Sequence, residues 1–135
     1  MRPRFLLASA LALSLCAVSP AHALTKEEAA NNLMLLTGAR NEAAFCEPFG
    51  KTAVQSQMKW ETRHQDVFDR SRKTVEDAAV ASGALPRERA SEAFMLLMAR
   101  LQARDDRDLA PHRKQIHCTR FDETLEVYGR DLRTK

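Results

Sequence analysis

Glycine and proline are scarce in this chain, with four glycines and five prolines in 135 residues, and two of the prolines fall within the first 20. Few breakers and no sustained apolar–polar alternation leave material for helices and none for a sheet. Several catalytic signatures are missing as well. There is no glycine-rich phosphate loop, no G-x-S-x-G elbow, no HExxH helix and no CxxCH haem attachment. Without a CxxC pair, a thioredoxin-like dithiol has no basis. No pair of carboxylates stands out from the helix-surface charges, so nothing argues for a hydrolase. Beyond the N-terminal segment, no apolar run approaches the ~20 residues that span a bilayer. These absences together point away from an enzyme and away from a transmembrane protein.

What is present begins with an export leader. Arg2 and Arg4 form a positive n-region, Phe5 to Val18 is apolar but too short to cross a bilayer, and Ala21-His22-Ala23 offers small residues for cleavage. Residues 1–23 are therefore expected to be a cleaved signal peptide. Cys16 lies inside it, preceded by Leu15 where a lipidation signal needs a small residue. Cleavage leaves 112 of the 135 residues, 24–135, as a single helical domain. An Arg- and Ala-rich chain behind a compact leader points to a bacterial envelope, hence the periplasm.

Losing Arg2 and Arg4 takes the 21 basic residues to 19 against 18 acidic ones, a net charge of about +1. A nucleic-acid or anionic-membrane partner needs a basic face and loses its support. The remaining cysteines, Cys46 and Cys118, meet an oxidising compartment and allow one intramolecular disulfide.

The helices read as a small four-helix bundle. Thr25 and Glu28 make a capping box for a first helix that buries Ala29, Ala30, Leu33, Met34 and Leu36 and stops at Gly38. Asn41 caps a short turn through Cys46 that Pro48 ends. One long helix follows from Pro48 to Ser82, with Gly50 delaying its start; uninterrupted from Lys51, it would run about 50 Å. Ten of its nineteen residues from Lys59 to Asp77 are charged. Acid-first pairs Asp66–Arg70 and Asp69–Lys73 make this mainly a solvated face. Gln57 and Ser71 interrupt the buried face (Ala53, Trp60, His64, Val67, Phe68, Val75, Ala78) and favour a kink near the middle.

Gly83 and Pro86 mark the next connection, and Pro86 opens a helix carrying Ala90, Phe94, Leu97, Met98 and Leu101 on one side. Asp105 to Asp108 with Pro111 reads as a solvated loop. The last helix spaces Cys118, Phe121, Leu125, Tyr128 and Leu132 in steps of three and four, a single core-facing seam, with Gly129 loosening its final turn. A cysteine on that seam favours a structural bond.

Two sets of residues are candidates for function. Trp60, Arg63, His64 and Arg70 join the only tryptophan to dense mixed charge on the long helix, a composition suited to a protein interface. The same alignment of Trp60 with His64 and Val67 equally makes Trp60 a core residue. The alternative is a metal or haem carrier. Met34 and His117 could face each other as axial ligands, resembling the exported four-helix b-type cytochromes, and Met95 and Met98 with His64 could hold Cu(I). Core methionines are more often packing, so no cofactor is expected. In its leader, single cysteine pair and basic-ended last helix, the layout resembles the small acid-stress periplasmic chaperones, which implies action by binding another envelope protein. Chaperone, assembly accessory and inhibitor all fit that expectation.

Overall fold

The computed structural model describes residues 23–50 and 52–134, so the expected leader through His22 lies outside the described residues. The described chain is all-α with five α-helices: α1 (Lys26–Cys46), α2 (Ala53–Arg63), α3 (Gln65–Ala81), α4 (Ala90–Asp108) and α5 (Phe121–Asp131). Short 3₁₀ turns at Glu47–Phe49, Arg87–Arg89, Ala110–His112 and Gln115–Arg120 join them. Helix α1 packs against each of the other four, α5 covers α2, and α4 covers α3. The core runs along the inner faces, from Leu33 and Leu36 through Trp60, Phe68 and Val75 to Phe121, Leu125 and Leu132.

The capping box opens α1 as expected, with the Glu28 N–H donating to Thr25 Oγ1 (3.1 Å) and the Thr25 N–H to Glu28 Oε2 (2.9 Å). Gly38 does not end the helix. It is carried through as an interior residue, because Ala39, Ala43 and Cys46 beyond it are all buried. That burial outweighs the ~1 kcal/mol a helical glycine costs. Asn41 accordingly does not cap a turn. Its amide donates instead to Asp105 Oδ2 (2.8 Å) and Gln102 Oε1 (3.1 Å) on α4.

The single long helix is also corrected. Pro48 sits in a 3₁₀ turn that ends at Gly50 (φ 72°), and α2 starts only at Ala53, where the Val54 N–H donates to Glu47 Oε2 (2.9 Å). The helix then breaks at His64, whose φ of −112° and ψ of 13° leave the helical region. The buried stripes of α2 and α3 stay in phase across this break, and α2 packs on α5 while α3 packs on α4. Of the expected ion pairs, Asp66–Arg70 is present (3.1 Å), but Lys73 reaches forward to Asp77 rather than back to Asp69. Gly83 (φ 75°) closes α3, its N–H donating to Val80 O (3.0 Å) and the Ala84 N–H to Ala79 O (3.0 Å).

Cys46, at the end of α1, is bonded to Cys118, just before α5, with Cα atoms 5.3 Å apart across 72 residues of sequence. Both are buried. Cutting a loop of that size should remove about 4 kcal/mol by the loop-entropy model. Equilibrium urea unfolding with and without reductant reads this directly; an unchanged midpoint would show that the bond contributes nothing to stability.

Gly129 does not loosen α5. A Cβ placed there would lie 3.2 Å from His64 Nε2 and 3.3 Å from Trp60 Nε1, so the glycine is what allows α5 to seat on the α2–α3 break. Trp60 has no solvent exposure and cannot yield. Gly129→Ala should therefore lower stability by about 1 kcal/mol, overpacking outweighing the gain in helix propensity. Adding His64→Ala should recover part of the loss in a thermal melt, whereas strictly additive effects would mean the two positions are not coupled.

Candidate functional site

Trp60, on α2, is a core residue. It is 0% exposed and packs against His64 and Phe68, with ring centroids 5.4 and 5.5 Å away. It cannot anchor a partner, which corrects that part of the expected interface, and its buried Nε1 has no hydrogen-bond acceptor among the described residues. His64 is half-buried at the helix break, its ring between Trp60 and Gly129. Arg63 is exposed and pairs with Glu126 across the α2–α5 groove (3.2 Å), alongside Met58, Lys59 and Leu125. Arg70 turns to its own chain: Nη2 pairs with Asp66 and Nη1 donates to the Thr134 carbonyl (2.9 Å). The four residues thus divide between core, groove and C-terminal tail and do not form one surface.

The candidate ligands are scattered in the same way. Met34 lines a hollow with Leu101 and Leu109, where Arg104 Nη1 approaches its sulfur to 3.8 Å. His117 lines a different one with Glu42, Ile116 and Val127. Met95 is exposed on α4 and Met98 half-buried beside it, while His64 sits against Gly129. Among the described residues, no three His, Cys, Asp or Glu side chains are placed to share a metal ion.

The strongest polar constellation was not anticipated. Asp105 was expected in a solvated loop, yet α4 continues through Asp108 and Asp105 is 4% exposed. Both its oxygens accept from Arg113 Nη2 (2.7 Å each), and Asn41 donates to Oδ2. Beside this pair, the Tyr128 hydroxyl donates to Glu42 Oε1 (3.1 Å). Burial pushes the Glu42 carboxyl above its ordinary range, and the negative charge of Asp105 adds to the rise. The Tyr128 hydrogen bond and the charges of Arg113 and His117 offset only part of it. Burial, then the Glu42 charge, pushes the Tyr128 phenol up. Arg113 is thus bonded to Asp105 and acts on Glu42 only through its charge. In sequence, DDRD reads as solvated because the partner that buries Asp105 comes eight residues later, past Pro111.

Glu42 favours folding only when protonated. Its contribution is complete below the unfolded carboxyl value and fades as pH rises through the higher folded one. Glu42→Gln keeps an acceptor for Tyr128 and cannot ionise. It should match the parent near pH ~4 and exceed it in urea midpoint near pH ~7.5. A variant less stable than the parent at neutral pH would mean that the charged form is the favoured one.

A different feature marks the outer side of α4. Only Ala90 and Asp105 of its nineteen residues are buried. Phe94, Leu97, Met98 and Leu101 are half-buried against α1 and α3, Phe94 lying under the Arg72 guanidinium (5.0 Å). Met95 and Leu96 point away from the core, 58% and 57% exposed, and exposed Ala99 and Ala103 extend the stripe by one and two turns.

Compared with family models, curated proteins and solved structures, the chain matches none of them.

Proposed function

We propose that this chain is an exported, non-enzymatic helical protein of the bacterial periplasm that acts by binding another envelope protein. A chaperone, an assembly accessory or an inhibitor would each work this way. The observation that carries the reading is the outer face of α4. Met95 and Leu96 expose large apolar side chains next to the small Ala99 and Ala103, an apolar stripe suited to a facing helix. Methionine suits such a surface because its unbranched thioether adapts to differently shaped partners. The leader supports export, since residues 1–23 carry the charged, apolar and small-residue segments in the right order. No described helix is long and apolar enough to cross a membrane.

Met95→Glu combined with Leu96→Glu places two charges where a partner would sit and touches little of the core. Melting should shift by less than about 1 kcal/mol. A photo-crosslinker at Leu96, compared in intact cells with one at exposed Ser91 on the same helix, should give discrete adducts that a second variant, Met95→Glu with Ala99→Glu, abolishes. Identical crosslinking from Leu96 and Ser91 would remove the case for this face.

A further inference from the structure

The segment after α5 is held in a way that the helical packing does not require. Leu132 leaves the helix in extended conformation (φ −61°, ψ 132°) and buries its side chain in the core. At the next residue, Asn32 Nδ2 donates to the Arg133 carbonyl (2.8 Å) and the Arg133 N–H donates to Asn32 Oδ1 (2.8 Å). One side-chain amide reads both backbone groups of a single residue, and the Arg133 side chain stays exposed. Arg70 Nη1 then takes the Thr134 carbonyl at the rim.

The clamp is pre-set by residues that do not belong to the tail. Asn32 on α1 and Ser71 on α3 have no solvent exposure. The Ser71 hydroxyl donates to the Val67 carbonyl (2.8 Å), so it can only accept from Asn32 Nδ2 (2.9 Å). That fixes the amide with its oxygen toward the tail's N–H. The chain Asn32–Ser71–Val67 is complete without residues 132–134. If the tail departs, the Asn32 amide loses both backbone partners and Leu132 leaves the core. A segment that offers the same backbone pair behind an apolar residue would restore these contacts.

We propose that Asn32, Ser71 and Arg70 form a cradle for an extended peptide, filled here in cis by Leu132–Thr134. In trans it takes a segment of a partner protein in which an apolar residue precedes one read only through its backbone. Recognition is strand-like at a single residue: the apolar position sets selectivity and the clamp supplies register. This surface is distinct from the outer face of α4 and stands whether or not that face binds.

The test uses the full chain in three forms: parent, Leu132→Glu, which should expel the tail by burying a charge, and Arg133→Pro, which removes the clamped N–H. The probe is a fluorescent hexapeptide with the sequence of residues 130–135. Both opened chains should bind it saturably and more tightly than the parent, whose own tail competes. A peptide N-methylated at its Arg133 position should bind roughly tenfold more weakly, since the clamp loses its donor. Replacing that arginine by alanine should change nothing, and replacing the leucine by glutamate should abolish binding. Folded opened chains that do not bind up to millimolar peptide, or that bind the N-methyl peptide equally well, would overturn the proposal. So would loss of helical circular dichroism in both opened chains, which would make the tail a strap and not a replaceable occupant.

Discussion

Helix α1 touches the other four helices, and it can do so because much of what it buries is small. Ala29, Ala39 and Ala43 are fully covered, so neighbouring backbones approach closely on several sides of one helix. The larger anchors, Leu33 and Leu36, meet Trp60 and Phe68 from the two halves of the broken helix within one core. Passing Gly38 through the helix interior costs something in propensity, but ending α1 there would strand Ala43 and Cys46 outside the core and leave the disulfide without its seat. The constraint of sitting at the centre therefore decides the length of α1, and the length of α1 decides where Cys46 meets Cys118.

A centre lined with small residues yields a thin apolar core, and the chain compensates by burying polar groups in pairs. Asn32 joins α1 to Ser71 on α3 and to the tail, 39 and 101 residues away. Asn41 and Arg113 converge on Asp105, and Glu42 accepts from Tyr128. Each contact is worth little net, but each would be expensive to mispair, because a buried donor or acceptor without its partner carries its full desolvation cost. Apolar faces of similar width can slide over one another. These pairs admit one register of α1 against α3, α4 and α5.

The sequence was legible where the signal is local. The capping box needs only Thr25 and Glu28, the Gly83 stop needs one left-handed residue, and the seam from Cys118 through Phe121 and Leu125 to Leu132 repeats over one helix and its flanks. Two cysteines outside the expected leader were enough to predict their pairing. What could not be read was set by residues far apart. Gly38 carries the local mark of a stop, and only burial beyond it overrides that mark. Asp105 looks solvated until Arg113 folds back on it. Asn32 lies among apolar neighbours, and nothing nearby announces that its partner is the backbone of Arg133. Of the expected binding residues, Trp60 was misplaced because an aromatic on a charged helix fits an anchor and a core residue equally well; burial separates the two, and burial is a property of the whole bundle.

The same bookkeeping separates the inner helices from α4. Buried polar contacts and the disulfide fix α1, α3 and the ends of α5, whereas α4 is joined mainly by half-buried side chains and by Asp105 near its C-terminal end. Its N-terminal turns have no such anchor, and they carry Met95 and Leu96 outward. Elements with few buried contacts open at lower free energy than the core they rest on. An apolar ridge on a helix with only two buried residues is costly for a protein that stays alone and useful for one that meets a partner. A facing helix would cover Met95 and Leu96 and, by the same contacts, hold α4 against Phe68 and Leu33. Binding at that face would then stabilise the fold through a helix with only two buried residues, without disturbing the polar pairs that tie α1 to α3 and to the segment after α5.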